Sequence, residues 1–327
     1  MQPINKYKDK LMKCFILSFF ILMFLFPSAS YKGASSGLML WFVNILPTLL
    51  PFIIISNLMI SLNIAGKISR LLYPVIGRLF KVSPDGSYPI LIGFLSGLPM
   101  GAKASADLVV AGKIDHKEGN FLLSMCNNAS SIFIINYIAI NQLKMPGLGI
   151  SLFVLIYSSS VLSALLYRTY LNKRNKIHKK QNKLNEPALR LQSEYIYIKP
   201  SFDLVDKSIM NGFEIITKIG GYIILFSILA QIINEVGTNF NLLKAIVMGI
   251  LEITTGINYI CNIPMDSRIK IVLISLLTSF GGLSGLAQTK SVLEESRLSI
   301  KTYIKVKLLS TLITALLLMA YLLCFKV

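Results

Sequence analysis

Charged side chains are scarce in this sequence. Asp, Glu, Lys and Arg make up 15% of its 327 residues, whereas hydrophobic residues make up 54%. Soluble domains carry about 25% charged residues, and the mean hydropathy of +0.65 also exceeds what such domains show. The composition therefore excludes an ordinary soluble domain and predicts an all-α polytopic membrane protein.

Cysteine and histidine are also rare. The 4 Cys and 2 His residues stand singly, without the paired spacing that zinc ligands or a disulfide framework require. The sequence has no P-loop, nucleophile elbow or paired-carboxylate motif. We therefore expect no metal, no cofactor and no enzymatic activity. The residues concerned are Cys14, Cys126, Cys261, Cys324, His116 and His178.

Acidic residues are outnumbered by basic ones, 15 to 33, which gives a net charge of +18. The basic residues lie in the loops between apolar runs. In that position they orient the membrane spans and contact anionic lipid. The expected partner of this charge is therefore the lipid bilayer and not nucleic acid.

Apolar runs recur along the whole chain. A helix needs roughly 20 residues to cross the hydrocarbon, and two shorter mixed segments remain at 88–102 and 271–288. Together these features predict about eight transmembrane helices, some of them accompanied by Gly-rich re-entrant segments. The long runs are 12–29, 37–62, 120–142, 146–167, 208–233, 243–261 and 303–325.

The first apolar run follows several lysines and ends at the small residues 28–30. This pattern is typical of a cleaved signal peptide, and it also fits an uncleaved first helix. Because many later spans follow, we expect a signal-anchor helix in an N-terminal unit, 1–36.

Membrane orientation follows from the basic loops. Segment 168–183 has many Lys and Arg residues and no acidic residue, so we expect it on the cytoplasmic side. Counting spans back from it puts both ends of 88–102 on that same side, which predicts a re-entrant segment. Residues 64–81 have basic and apolar residues on opposite faces, which predicts an interfacial helix. For 271–288, re-entry and spanning both fit the charges.

Two pairs of similar segments indicate an internal repeat. LSGL occurs at 95–98 and 283–286, and 47–58 resembles 217–228. Duplicated halves of opposite entry are typical of secondary transporters, although the charges place both LSGL segments on the cytoplasmic side. The predicted units after the N-terminal helix are a first gate-like membrane repeat (37–167), a basic cytoplasmic loop (168–206) and a second membrane repeat (207–327).

A candidate site centres on the Gly-rich stretch 94–108. Gly97 and Gly101 recur at helical spacing, which fits close helix packing. With Pro99 they also fit an unwound turn that aims backbone N–H groups at an anion. Lys103 would add a cation at that turn, or it would extend to the interface as a snorkelling side chain.

Polar side chains within apolar segments provide further candidates. Asn127 and Asn128 form a polar cluster inside 120–142, which predicts a wet cavity or hydrogen bonds between helices. Ser284 and Gln288 lie around the second Gly-rich segment and would bond a substrate.

An acidic residue inside an apolar segment is a functional candidate by default. Glu252 would carry a proton or bind a coupling cation, or it would be a structural partner of Lys218 or occupy a helix end. The complete candidate set is Ser96, Gly97, Pro99, Gly101, Lys103, Asn127, Asn128, Ser284 and Gln288 for substrate binding, with Glu252 for ion coupling.

Several motifs carry a family resemblance. In order along the chain they are ILPTLLPF (45–52), GFLSGLPMGAKASADL (93–108), CNNAS (126–130), KIGGYIILFSIL (218–229), GILEITTGI (249–257) and SFGGLSGLAQ (279–288). The sequence thereby resembles the YlbJ-type sporulation integral membrane proteins, which carry a nucleoside recognition or gate domain. The resemblance implies a multi-pass protein of the mother-cell-derived membrane around the developing spore, with a part in moving dipicolinic acid.

We therefore expect a permease for a small solute, with a small anion such as dipicolinate as its substrate. A nucleoside carrier is an alternative within the transport class. A non-transporting scaffold in spore assembly, which would recruit partners through the basic loop, is the alternative outside it. A homo-oligomer or a membrane partner protein would fit each of these functions.

Overall fold

The computed structural model describes residues 3–62, 64–179, 201–236 and 241–324, and within them all regular structure is helical. This confirms the all-α prediction. Three π-helical segments and one 3₁₀ turn accompany the α-helices, at Trp41–Ile45, Tyr73–Gly77, Phe133–Gln142 and Pro146–Leu148. The α-helices are α1 (Pro3–Leu25), α2 (Pro27–Leu40), α3 (Leu46–Ser61), α4 (Ile64–Leu72), α5 (Arg78–Phe80), α6 (Ser87–Ser96), α7 (Met100–Val110), α8 (His116–Cys126), α9 (Gly149–Lys179), α10 (Phe202–Val236), α11 (Asn241–Leu251), α12 (Ile253–Asn262), α13 (Ser267–Phe280), α14 (Gly282–Ser291) and α15 (Ile300–Cys324).

Four helical stretches of the described chain have the length and hydropathy needed to cross a bilayer. The number rises to five if Met12–Leu25 and Pro27–Ile45, which meet at an angle of 106°, form one bent span. A polytopic membrane protein is therefore supported, whereas the predicted number of about eight spans is not confirmed. The four stretches are Pro146–Lys173, Phe202–Val236, Ser267–Ser291 and Ile300–Cys324.

The N-terminal region is helical where a connection between two spans was predicted. After the bend at Phe26, helical structure continues from Pro27 to Ser61. The small residues of this region explain the difference, because they let it pack as a helix against α10. Gly33 lies so close to α10 that a Cβ on it would be 2.7 Å from the Ile228 Cα. The small residues of α2 therefore pack closely against α10.

Trp41 strengthens this contact. Its indole Nε1 donates a hydrogen bond of 2.8 Å to the Ile216 carbonyl, and its ring lies against Gly220. The single tryptophan of the sequence therefore sits between the first helical region and α10.

The predicted interfacial helix 64–81 is helical throughout α4, the segment Tyr73–Gly77 and α5. Its apolar residues Leu71, Val75 and Leu79 are exposed, as an amphipathic surface helix requires. Its position on the membrane remains a prediction.

The predicted re-entrant segment is a helical hairpin. Helices α6 and α7 are separated at Gly97–Pro99, and Gly93 and Gly101 both lie against the Cys126 carbonyl. In a continuous helix these two glycines would be about 12 Å apart. The chain therefore folds back at the break, as the Gly-rich sequence predicted.

The predicted span 120–142 is interrupted. Helix α8 ends at Cys126, and helical structure resumes at Ser131. The Asn128 amide donates to the Met125 carbonyl, and the Ser130 hydroxyl accepts from the Phe133 N–H. These polar side chains bond the free backbone groups of both helix ends, so the break is favoured over a continuous helix.

The prediction of one spanning helix over 243–261 is wrong. Helices α11 and α12 form a second hairpin, because the Gly256 backbone lies directly against Gly249. Residues seven positions apart would be separated by about 10 Å in a continuous helix. The physical reason is Glu252, which has an extended backbone and caps α12 with its own carboxylate.

The order of elements is similar in the two halves of the chain. A hairpin is followed by a helix with an internal break and then by a long helix, first in α6 to α9 and later in α11 to α15. The second break lies at Gly281 and Gly282, both with positive φ. The LSGL segments occupy different places, one at a hairpin tip and one at the start of α14.

The predicted boundaries between units are not marked by loops in the described chain. Helix α2 crosses the boundary at 36/37, and α9 extends the first membrane unit to Lys179. Residues 180–200 of the predicted basic loop lie outside the described residues.

Candidate functional site

Two hairpin tips and two helix breaks meet in the interior of the protein. The tips lie at Gly97–Pro99 and Glu252, and the breaks lie at residues 127–130 and at Gly281. The Leu98 N–H donates a hydrogen bond of 2.6 Å to the Asn128 carbonyl, and a Cβ on Gly97 would lie 2.6 Å from the Ser130 nitrogen. The tip of the first hairpin is thus attached to the break after α8. Gly97 has φ +75°, a conformation that glycine adopts without steric cost.

The second hairpin is attached to the second break in a similar way. A Cβ on Gly282 would lie 3.4 Å from the Ile250 carbonyl oxygen and 3.5 Å from the Ile253 nitrogen. The Leu98 side chain then links the two pairs, because it reaches within 3.9 Å of such a position on Gly281 and 3.6 Å of one on Gly285. The interrupted helix ends from both halves of the chain therefore lie around the Leu98 side chain.

A cavity of about 290 Å³ opens at this junction. It lies between the helices that contain Asn44, Asn136 and Ile223 and the hairpin tips at Leu98 and Glu252. A second cavity of about 600 Å³ adjoins it, because both are lined by Leu40, Val43, Asn44, Tyr137 and Thr254. The junction is therefore accessible to a small molecule.

The cavity walls combine apolar surface with amides and hydroxyls. Among the described residues that line the two cavities there is no Lys or Arg, and Glu252 is the sole charged side chain. Such walls suit a solute that is held by hydrogen bonds and apolar contact. The amide side chains are those of Asn44, Asn136, Asn141, Gln142, Gln231, Asn234, Asn258, Asn262 and Gln288.

Ser96 is the predicted site residue that is best placed to bind a ligand. It lines the cavity and is 3% exposed, and its hydroxyl has no hydrogen-bond partner. Buried polar groups normally have a partner. A solute in the cavity would supply one.

Glu252 also lines the cavity. Its carboxylate accepts hydrogen bonds of 2.7 Å from the Thr255 N–H and 2.9 Å from the Thr255 hydroxyl. Lys218, the structural partner considered from the sequence, instead pairs with Glu214 at 2.7 Å. Glu252 is thus both the N-cap of α12 and an acidic group at the cavity.

Gln288 lines the cavity as well, and its amide nitrogen donates to the Ser284 hydroxyl at 3.1 Å. Ser284 is buried behind it. The structure brings Gln288 to the same cavity as Ser96 and Glu252. Ser284 does not line the cavity, and its hydroxyl holds the Gln288 side chain.

Asn127 is fully buried and bonded to the protein. Its amide nitrogen donates to the Thr289 hydroxyl at 2.8 Å and to the Tyr303 hydroxyl at 3.0 Å, and its side-chain oxygen accepts from the Ala102 N–H. These contacts tie the first break to α7, α14 and α15. The binding role predicted for Asn127 would require these bonds to open.

Lys103 lies outside the residues that line the described cavities. Its ammonium group pairs with Asp107 at 2.8 Å, one helical turn along α7. Pro99 follows the break with a cis bond to Leu98, and Gly101 packs on Cys126. Gly101 thus allows a close contact between the hairpin and α8, and the assignment of Lys103 to an anionic group of the substrate stays a prediction.

Sequence reasoning missed Lys307, which it counted among the basic residues that orient the chain. Lys307 is 1% exposed, and its ammonium group donates to the Asn128 side-chain oxygen at 2.7 Å and to the Ser279 carbonyl at 3.3 Å. A sequence signal exists, because Tyr303, Lys307 and Thr314 recur at helical spacing on one face of α15. That polar stripe identifies the buried face.

In the described part of the chain, no group of three or more His, Cys, Asp or Glu residues is arranged to hold a metal ion. The side chains of the site can bind a solute by hydrogen bonds, apolar contact and the charge of Glu252.

Comparison with known proteins gives one informative result. The sporulation integral membrane protein YlbJ of Bacillus subtilis (strain 168) is 25% identical over 329 aligned residues, which cover 94% of this chain and 81% of the relative. No family model matches the chain, and no solved structure matches it. The similarity extends over nearly the whole chain, and it supports the YlbJ-type resemblance and a membrane role in sporulation.

Proposed function

We propose that this protein is a permease that moves a small polar solute across the membrane during spore formation. The observation that carries the proposal is the cavity at which two hairpin tips and two broken helices meet. Interrupted backbone inside a membrane protein is tolerated where it is buried in protein or lines a cavity. Transporters use such breaks to bind substrate near the middle of the bilayer.

The length of the hairpin helices supports this interpretation. Helices α6, α7, α11 and α12 have 10 or 11 residues each, which corresponds to about 15 Å. That is roughly half the thickness of the hydrocarbon core. A hairpin entering from a membrane surface would therefore place its tip, and the cavity, near the bilayer centre.

A small aromatic dicarboxylate such as dipicolinate is the first substrate to test. The family resemblance points to it, and two features of the site support an anion. The helical segment that follows the first break begins at Ser131, and its N-terminus faces the cavity, where residues 129, 130 and 132 form part of the wall. Helix N-termini favour negative charge. The amino group of Lys307 lies behind the wall, where it bonds Asn128 next to Ala129, and in its protonated form it would add a positive charge there.

A nucleoside is the second candidate substrate. The observation that favours it is the absence of Lys and Arg from the described cavity walls, which leaves amide groups to bond a neutral ring and its hydroxyls. In either case we assign Glu252 to ion coupling, and we place the protein in the mother-cell-derived membrane. No reaction on the solute is part of the proposal.

The test is uptake by proteoliposomes of labelled dipicolinate and labelled uridine, with and without an imposed pH gradient. Ser96→Ala removes the free hydroxyl with little change in volume and should lower uptake of the true substrate at least several-fold. Lys305→Ala changes an exposed lysine of α15 and should leave uptake unchanged. Lys103→Ala tests the direct role that the sequence predicted for that lysine.

The outcomes separate the candidate functions. Dipicolinate uptake that falls in Ser96→Ala supports the anion permease, and uridine uptake with the same dependence supports a nucleoside carrier. Absence of uptake of either solute by folded protein would argue against both and favour a scaffold or a missing membrane partner.

A further inference from the structure

Lys307 carries a buried amino group with no acidic partner in the described chain. It lies in α15, and its side chain is 1% exposed. The ion pairs found among the described residues join other lysines to Asp or Glu. A buried charge is expensive unless it is paired or well hydrogen-bonded, so the oxygen atoms around this ammonium group determine whether it is tolerated.

Those oxygen atoms belong to the two helix breaks. The Asn128 side-chain oxygen accepts from the Lys307 Nζ at 2.7 Å, and the Ser279 carbonyl accepts at 3.3 Å. Asn128 lies in the break after α8, and Ser279 lies in the last turn of α13, directly before the break at Gly281. The Tyr303 ring lies 5.7 Å from the Nζ and offers its face.

This set of groups resembles a binding site for a monovalent cation. Carbonyl oxygens at the C-terminal end of a half-helix carry partial negative charge, and transporters with broken helices use such oxygens to coordinate Na⁺. An amide oxygen and the face of an aromatic ring are further neutral groups that attract a cation.

We propose that the Lys307 ammonium group is a built-in cation that occupies a cation site between the two helix breaks. The site holds the first broken helix to the second one, and the four-carbon stem of Lys307 delivers the charge from α15. A free Na⁺ is not needed at this position while the lysine is present. Shortening the side chain vacates the site and makes it available to a small external ammonium ion.

The consequence for transport rests on the proposed permease function. If the built-in cation keeps the breaks together, the solute is moved without Na⁺ at this site, and any coupling ion binds elsewhere. The existence of the cation site can be tested without a transport assay, so failure of one proposal can be told from failure of the other.

The experiment measures the unfolding temperature of the purified full-length protein in detergent. Lys307→Ala should unfold at a lower temperature than the wild type, and propylammonium chloride should restore roughly 2–5 °C through binding to the folded state. Guanidinium chloride is avoided because it denatures, and NaCl of equal ionic strength serves as the salt control. Lys305→Ala, an exposed lysine on the same helix, should show no rise with propylammonium beyond the salt control.

Two results would overturn the proposal. One is that propylammonium does not raise the unfolding temperature of Lys307→Ala, or raises it equally in the wild type, Lys307→Ala and Lys305→Ala. The other compares the wild type with Asn128→Leu, and it remains available if Lys307→Ala fails to fold. NaCl, KCl and choline chloride should shift the unfolding temperature of the wild type equally, and a specific stabilisation by NaCl that Asn128→Leu abolishes would mean that the site takes free Na⁺.

Discussion

The Leu98 N–H and the Asn128 carbonyl form a main-chain hydrogen bond of 2.6 Å that joins the first hairpin to the first helix break. Neither group belongs to a regular helix, so both would lack a partner if the two segments separated. A buried unpaired backbone group costs on the order of 1–3 kcal/mol. The bond therefore favours one fixed arrangement of the hairpin tip.

Gly97→Ala should destabilise that arrangement. Gly97 has φ +75°, and the added methyl group would lie 2.6 Å from the Ser130 nitrogen and 2.8 Å from the Asn128 oxygen. A non-glycine residue in such a conformation costs about 1–3 kcal/mol before the steric clash is included. Thermal unfolding in detergent would measure the loss. Gly147→Ala is the matched control, because its Cβ would meet no atom within 4 Å.

Gly256→Ala should open the second hairpin. The new Cβ would lie directly against the backbone of Gly249, and backbone atoms do not move aside as a flexible side chain does. We expect a loss of about 1–3 kcal/mol in stability together with reduced uptake. Gly221→Ala lies in α10 with no atom within 4 Å and should instead stabilise the protein by roughly 0.5–1 kcal/mol. Equal stability of the two variants would contradict the close approach of α11 and α12.

Glu252→Gln separates the capping role of this residue from its proposed role in ion coupling. The amide oxygen can still accept from Thr255, so the cap should be largely kept, whereas Glu252→Ala should cost about 1 kcal/mol. Uptake driven by a pH gradient should be lost in Glu252→Gln, while exchange of labelled for unlabelled solute continues. The control is Glu214→Gln, an exposed partner of Lys218. Retention of gradient-driven uptake in Glu252→Gln would remove the coupling assignment.

Glu118, at the start of α8, should make stability depend on pH. Burial raises the pKa of its carboxyl group above the ordinary value of 4.5, and hydrogen bonds from Ser83 and the charge of Arg168 oppose this shift only in part. The folded protein then binds more protons than the unfolded chain just above pH 4.5, so its stability should fall as the pH rises through that region. Glu118→Gln should flatten this part of the profile of unfolding temperature against pH. Glu294→Gln, an exposed site, should leave the profile unchanged.

The sequence predicted the helical class, the membrane character and the first hairpin. These features depend on local signals, namely the length of the apolar runs and the Gly-Leu-Pro sequence at residues 97–99. The unwound turn that was one of the two interpretations of this stretch lies at Gly97–Pro99, because glycine permits positive φ and proline fixes φ in any surroundings.

The interruptions within 120–142 and 243–261 were missed because their causes are tertiary or depend on a cap, whereas the break at Gly281 falls in 271–288, for which re-entry and spanning had both stayed open. Segment 243–261 has no proline and reads as a continuous apolar run, yet Glu252 ends one helix and begins another. Composition alone does not distinguish an acidic residue that caps a helix from one that faces a cavity in a spanning helix. The small residues of α2 were likewise read as a connection, since their packing partner on α10 is about 190 residues away in sequence.

The candidate site was predicted in part. Ser96, Glu252 and Gln288 come from distant segments and line one cavity, whereas Asn127 is committed to Thr289 and Tyr303. Lys103 pairs with Asp107, a partner four residues along the helix that the sequence already contained. The choice between a ligand contact and a structural contact depends on side-chain direction, which spacing does not determine.

Trp41 gives the protein a built-in optical reporter. Its indole bonds Ile216 on α10, and its neighbours Leu40 and Val43 line the central cavity. Because the sequence contains no other tryptophan, excitation of indole fluorescence isolates this one contact without any label. Movement of α2 relative to α10, or entry of a solute beside it, would then be visible as a change in emission wavelength or quenching of the unmodified protein.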